Sequence, residues 1–365
     1  MKAERQRFQA VSRNFFPPHP LAPHADAVPA ALPGRPPLRR SAMRRSWSLL
    51  TVLVLLVGGS AHARSVVGET AEPGQAPLLL QQLRERVTAI VHRVDGVMGV
   101  VITDLQTGER LTWNPDVVFP IASAIKVPLL IELLRQSQSA GPGTAGLARL
   151  DDAYTPRKED LISDSNILAG LSIGISRVTN QDLATFMVVV SDNSATNVLI
   201  DRVGMMSVNT LLDRLGLTRT RLRRKMADGE AVRRGQENTS TPEELAKLWE
   251  LLYRGQILDS AHTSLALRLL SLHKSDFVTA QLPDNDETGL DLRVASKPGS
   301  LPGARTDAGI IWAGQKKPRP FVISAMVGSA YAGRSAESAI AEVAAAAYSC
   351  FARLADNTPY GRRLP

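Results

Sequence analysis

The chain predicts an α+β fold: a five-stranded antiparallel sheet covered by N- and C-terminal helices, plus an all-helical subdomain. Three observations predict it. Two apolar runs flank a Thr107-Gly108 turn toward one end, three short strand patterns follow residue 290, and residues 121 to 285 between them read as almost entirely helical. Strand groups split this way join in one sheet only if the chain returns across the fold. The middle helices then form their own layer, with a cleft at the junction.

Each element has its own signal. "APLLLQQLRERVTAIVHRV" carries apolar residues at helical spacing, so a first helix covers about 76 to 93. "GVMGVVITDLQTGERLTWNP" reads as a β-hairpin. Thr179 and Asp182 are spaced as a capping box and open a helix in "VTNQDLATFMVVV". "LDLRVASKPG", "DAGIIWAG" and "PFVISAMVGSA" are strands divided by Gly/Pro turns, and "SAESAIAEVAAAAYSCFARL" is the closing helix. The folded domain is expected over 76–355, after a linker at 64–75 and before a tail at 356–365.

The formal net charge of +8 suggests a nucleic-acid partner only if it is spread over the fold. It is not spread. Residues 1–63 hold nine Lys or Arg against Glu4 and Asp26, so seven of the eight net charges lie in the leader, and no nucleic-acid partner is expected. Residues 1–42 contain eight of the 23 prolines and no apolar period, which predicts a disordered extension. Residues 43–63 then give Arg44 and Arg45, an apolar run from Leu49 to Val57, and small residues at Ala61 and Ala63. That order is a secretory signal peptide, and Met43 is a better start for it than Met1. A nine-residue run is too short to span a bilayer, so no stable membrane anchor is expected after cleavage. The protein is expected to be exported, to a periplasm or the medium. Cys350 is the only cysteine, which excludes an internal disulfide.

The candidate chemistry begins at "IASAIKVPLLIELL". Ser123 and Lys126 lie one helical turn apart on one face, at the mouth of a helix whose stripe Val127, Leu130, Ile131 and Leu134 belongs in a core. A serine becomes a nucleophile when a neighbouring base takes its proton, and an unprotonated lysine can do so. Burial and a helix N-terminus both favour the neutral amine. The pattern alone is weak, because Ser271 and Lys274 repeat it. Two further segments strengthen it. Ser191-Asp192-Asn193 falls between two helix patterns, where it brings a hydroxyl and an amide to a cleft or simply caps a helix. In "SKPGS", Lys297 ends a strand and Gly299 permits close backbone approach, unless this is an ordinary strand-end turn.

In the order Ser-x-x-Lys, Ser-Asp-Asn, Lys-x-Gly, the three segments match the motif set of penicillin-recognising serine enzymes. Over about residues 76 to 354 the chain resembles the class A β-lactamase family, which implies a β-lactamase/transpeptidase-like fold. The resemblance implies that Ser123 is acylated with Lys126 as base or helper, that Ser191 relays a proton to the leaving nitrogen, and that Asn193 binds a substrate amide. It implies that Lys297 supports Ser191 and attracts the substrate carboxylate. It also places an oxyanion hole at the N–H groups of Ser123 and Ser300, beside Gly299.

Two departures stand out. Where the family's loop has the glutamate that activates the deacylating water, this chain has Lys225 or Met226, and Asp228 or Glu230 is the expected substitute. Without one, the acyl-enzyme persists and the protein behaves as a penicillin-binding module. Pro298 replaces a hydroxyl residue that contacts the substrate carboxylate, and Arg305 is either its replacement or a surface arginine.

Other chemistries find little support. Gly170 to Gly174 fit Gly-x-Ser-x-Gly, but neither a strand pattern precedes them nor a helix pattern follows directly. His92, His262 and His273 form no metal motif, so neither a metal nor a cofactor is expected. The expected enzyme is a monomeric, exported serine hydrolase acting on a β-lactam. The alternatives are a peptidase for D-Ala-D-Ala-type cell-wall peptides, or another amide or ester hydrolase; a module that is acylated or only binds; and an unrelated structural domain.

Overall fold

The computed structural model describes residues 74–362 except 142–144, 163–164, 273, 275, 284–291, 315–316, 330–332 and 359. The expectations for residues 1–42, for the signal peptide and for most of the linker lie outside the described residues, as does His273.

Helix α1 (Ala76–Arg93) carries a proline in its first turn, where the missing N–H costs nothing, and buries Leu83, Val87 and Ile90. Strands β1 (Val97–Asp104) and β2 (Arg110–Trp113) form the hairpin. Asp104 closes its turn, accepting from the Gln106 N–H at 2.9 Å and the Thr107 hydroxyl at 2.8 Å. Strand β3 (Phe119–Pro120) leads through a 3-10 turn (Ala122–Ile125) into α2 (Lys126–Ser139).

The helical layer continues through β4 (Ala153–Tyr154), β5 (Val178–Thr179), α3 (Asn180–Val189), α4 (Asn193–Val203) and α5 (Met205–Arg214). It ends with α6 (Gly229–Arg233), β6 (Thr239–Ser240), α7 (Pro242–Tyr253) and α8 (Ser260–Leu270). Strands β7 (Val294–Leu301), β8 (Ala304–Ala313) and β9 (Arg319–Gly328) complete the sheet before α9 (Arg334–Asp356).

The five-stranded sheet has the order β2-β1-β9-β8-β7, with every pair antiparallel. The α+β architecture is therefore the expected one, and β1 pairs directly with β9 from the far end of the chain. Both sheet faces are covered, so its strands read as nearly continuous apolar runs. Along β1 and β9 alternate residues serve different cores. Val100, Ile102, Phe321 and Ile323 pack with α1 and α9, whereas Val101, Val322 and Met326 pack with the helical layer. The Phe321 and Phe351 rings stack at 4.6 Å and tie the sheet to α9. One difference from the sequence reading concerns the middle of the chain, where β3 pairs with β6 and β4 with β5. Ladders two residues long are too short to leave a periodic signal.

Candidate active site

The site forms where the first turn of α2, the start of α4 and strand β7 meet. Ser123 lies in the 3-10 turn that leads into α2, directly after Ala122 at φ 46°. Left-handed backbone at a non-glycine residue costs about 1–3 kcal/mol and collects at functional sites. Lys126 begins α2 and is completely buried. Its Nζ donates to the Ser191 carbonyl at 2.7 Å and to Asn193 Oδ1 at 2.7 Å, and it lies 2.9 Å from Ser191 Oγ. The carbonyl and the amide oxygen require N–H donors, whereas a hydroxyl either accepts or donates. These contacts suit an ammonium, and they equally suit a neutral amine whose lone pair takes the hydroxyl proton.

Ser191 is also left-handed, at φ 57°, in the turn between α3 and α4. Asp192 caps α4, accepting from the Ala195 N–H at 2.9 Å, and its other oxygen takes the N–H groups of Ile167 and Leu168 at 2.7 and 2.8 Å. Burial would raise this carboxyl's pKa. The Ala195, Leu168 and Ile167 amides, with the Ser165 hydroxyl, outweigh that and hold it below the usual carboxylate range. The segment thus does two things: its aspartate caps a helix, and its serine and asparagine meet Lys126.

Lys297 is buried on β7, with Nζ 3.3 Å from Ser191 Oγ and donating to the Pro298 carbonyl at 3.0 Å. Burial pulls its ammonium down to about 8, assisted by Lys274 and opposed by Asp307 and Asp276. Asp307, fully buried on β8, is pushed up to about 7 by its own burial, and the charge of Asp276 adds to this. A Cβ on Gly299 would lie 2.4 Å from the Ile121 carbonyl oxygen and 3.1 Å from the Ser123 amide nitrogen. Only glycine lets β7 approach the nucleophile turn this closely.

A cavity of about 470 Å³ opens over this junction, with Ser123, Asn193, Ser300, Met226, Asp228 and Glu237 among its walls. Lys126, Ser191 and Lys297 lie outside that wall set. The loop opposite Ser123 is fixed by asparagines. Asn197 accepts from the Met226 N–H at 2.8 Å and donates to its carbonyl at 3.1 Å. Asn238 accepts from the N–H groups of Arg223 and Arg224 and donates to the Arg224 carbonyl. Arg224 pairs with Glu237 at 2.9 Å.

Of the two carboxylates expected on this loop, Asp228 lines the cavity and caps α6 through Oδ1, 2.9 Å from the Ala231 N–H. Glu230 is exposed, paired with Arg234 and absent from the cavity wall. Arg305 is the partner of Ser300 across β7 and β8, but its guanidinium pairs with Glu337 at 2.7 Å and donates to the Leu301 and Ala304 carbonyls. It is neither on the cavity wall nor a fully exposed surface group.

The hydrogen bonds of the second Ser-x-x-Lys go elsewhere, although the charge of Lys274 reaches Lys297. Lys274 Nζ caps carbonyls at the end of α8, those of Leu270 and Leu272, at 2.5 and 3.0 Å. Ser172, at the centre of Gly170 to Gly174, follows a 3-10 turn, not a strand. Among the described residues no cluster of three His, Cys, Asp or Glu could hold a metal ion, and no helix is long and apolar enough to cross a membrane. Sequence reading missed Asn197, Asn238, Glu237 and Asp307. Each acts through a partner at least 13 residues away in the chain, so no local pattern marked it.

Comparison with known proteins agrees with this geometry. The model of the β-lactamase enzyme family matches residues 82–351. The β-lactamase CARB-3 of Pseudomonas aeruginosa is 26% identical over 241 residues, covering 65% of this chain and 80% of that protein. A β-lactamase of Streptomyces cellulosae is 26% identical over 282 residues, covering 74% and 86%. Among solved structures, a β-lactamase from Sphaerobacter thermophilus DSM 20745 is similar with a TM-score of 0.64 at 28% identity, covering 73% of this chain and 96% of that one. PBP-A shares the fold with a TM-score of 0.64 at 24% identity, covering 74% and 96%. With the family model spanning most of its length and two buried lysines meeting Ser191 inside the matched region, the chain belongs to the β-lactamase enzyme family of serine hydrolases.

Proposed function

We propose that the protein is an exported class A-type β-lactam hydrolase that works through an acyl-enzyme on Ser123. The observation that carries this reading is Ser191 Oγ held between two buried lysines, 2.9 Å from Lys126 and 3.3 Å from Lys297. Lys126 takes the proton as Ser123 Oγ bonds to the lactam carbonyl carbon. The N–H groups of Ser123 and Ser300 receive the developing oxyanion, where loss of one donor costs ~10²–10³ in rate. The ring C–N bond then breaks. Its nitrogen takes the Ser191 proton, which the adjacent lysines replace.

Lys297 and Ser300 attract the substrate carboxylate, since Pro298 has no hydroxyl and Glu337 holds Arg305. Asn193 receives the side-chain amide of the substrate. Export rests on the signal-peptide pattern of residues 43–63. A second reading, a long-lived acyl-enzyme, is favoured by Met226 facing the cavity where a carboxylate would activate water.

Residues 64–365 incubated with a chromogenic cephalosporin distinguish these readings. Sustained colour release together with a transient mass adduct is expected, and Ser123→Ala abolishes both. A stoichiometric burst leaving a stable adduct supports the second reading. Cleavage of a D-Ala-D-Ala peptide with no β-lactam adduct would transfer the site to cell-wall peptides.

A further inference from the structure

Two carboxylates, Asp228 and Glu237, stand on the cavity wall that also carries Ser123. Their surroundings differ. Glu237 directs Oε2 to Arg224, which approaches through Nε at 3.2 Å and through a terminal nitrogen at 2.9 Å. Arg224 is itself buried and also donates to the Lys225 carbonyl, so the pair works as a clasp across the loop. Glu237 is thereby occupied in holding the loop together.

Asp228 is placed differently. The chain before it is pinned at Met226 by both hydrogen bonds to Asn197, then turns through Ala227 at φ 58°. An alanine in that conformation is strained, and the strain is maintained only because both flanks are fixed. One flank is the Asn197 clamp and the other is the cap on α6. Capping uses Asp228 Oδ1, so the remaining oxygen belongs to a half-buried side chain on the cavity wall.

We propose that Asp228 is the catalytic base of deacylation, taking the role that Met226 cannot fill. This rests on the acyl-enzyme reading above. Asp228 accepts one proton from a water whose oxygen bonds to the ester carbonyl carbon. The tetrahedral species collapses with cleavage of the carbonyl carbon–Oγ bond. The proton held by Asp228 returns to Ser123 Oγ, leaving a carboxylic acid and the free serine. The tight turn at Ala227 shifts the carboxylate two residues along the loop from Met226, and a cap fixes it there.

The test separates formation of the adduct from its loss. Asp228→Asn removes the base yet keeps the cap, since asparagine caps as well as aspartate. Under the cephalosporin, its adduct should form at the parental rate and decay ~10²–10⁴ more slowly, the usual worth of a general base. Asp228→Ser, which also caps, should behave the same way, and the exposed Glu230→Gln should decay like the parent. An adduct whose lifetime is equal in parent and Asp228→Asn overturns the assignment alone. Lengthening by Glu237→Gln in place of Asp228→Asn overturns it too, and passes the role to Glu237. Absence of any adduct in both the parent and Asp228→Asn removes the acyl-enzyme reading and this assignment with it.

Discussion

Ser191 Oγ lies within reach of two buried amines, and this placement sets how the site should respond to pH. If Lys297 holds the substrate carboxylate, acylation needs its charged form. Burial has lowered that amine to about 8, so kcat/KM for acylation should fall as pH rises through about 8. Lys297→Arg stays charged far above that range and should move the alkaline limb upward, even at a lower absolute rate. An unmoved limb would assign it to another group. At this scale the sequence was informative where chemistry clusters locally: Ser123, Lys126, Ser191, Asn193 and Lys297 were legible from three short motifs, and the structure brings them together. Asp307, which opposes the lowering of Lys297, was not legible. Its environment is made by Phe277, Val278 and Asp276, all remote in the chain.

Elements meet at the site through one close approach, strand β7 against the nucleophile turn. A methyl at Gly299 would strike the Ile121 carbonyl, so Gly299→Ala should push β7 away from the Ser123 amide. The expected result is a loss of ~10²–10³ in acylation rate, the cost of one misplaced oxyanion donor, with the far-ultraviolet circular dichroism unchanged. Wild-type acylation in that variant would mean the strand yields cheaply. Long periodic elements were legible, including α1, the hairpin and the capping box at Thr179 and Asp182, which forms as expected. In the loop between Arg221 and Thr239, which pair with each other, the sequence reading reached only residues 225 to 230. What fixes its interior is side-chain clamping by Asn197 and Asn238, for which no local sequence rule exists.

For the molecule as a whole, acid should be a sharper stress than base. Asp104 and Asp192 each fasten segments far apart, and both are held below the usual carboxylate range although burial pushes the other way. Arg319 and the Gln106 amide do this for Asp104, and the amides near Asp192 do it there. A carboxyl lowered by folding stabilises the fold above its ordinary value of 3.8 and loses that contribution as pH falls through the folded value. Asp307, raised to about 7 by burial, acts in the opposite sense, weakening the fold as pH rises from 3.8 toward 7. The urea midpoint should therefore drop steeply on acidification below 3.8, and replacing Asp104 and Asp192 together by Asn should flatten that drop. An equally steep drop in the double variant would place the acid sensitivity elsewhere. The joining of both strand groups in one sheet was legible because neither group could complete a sheet alone, whereas the order β2-β1-β9-β8-β7 emerges only from the structure. That topology has a mechanical corollary. Helices α1 and α9 lie on the same sheet face, and Gln75 donates to the Tyr360 carbonyl at 3.0 Å, so the domain begins almost where it stops. A short covalent join there would make the backbone circular, and a fresh opening cut into an exposed loop would leave every sheet pairing and the catalytic junction undivided.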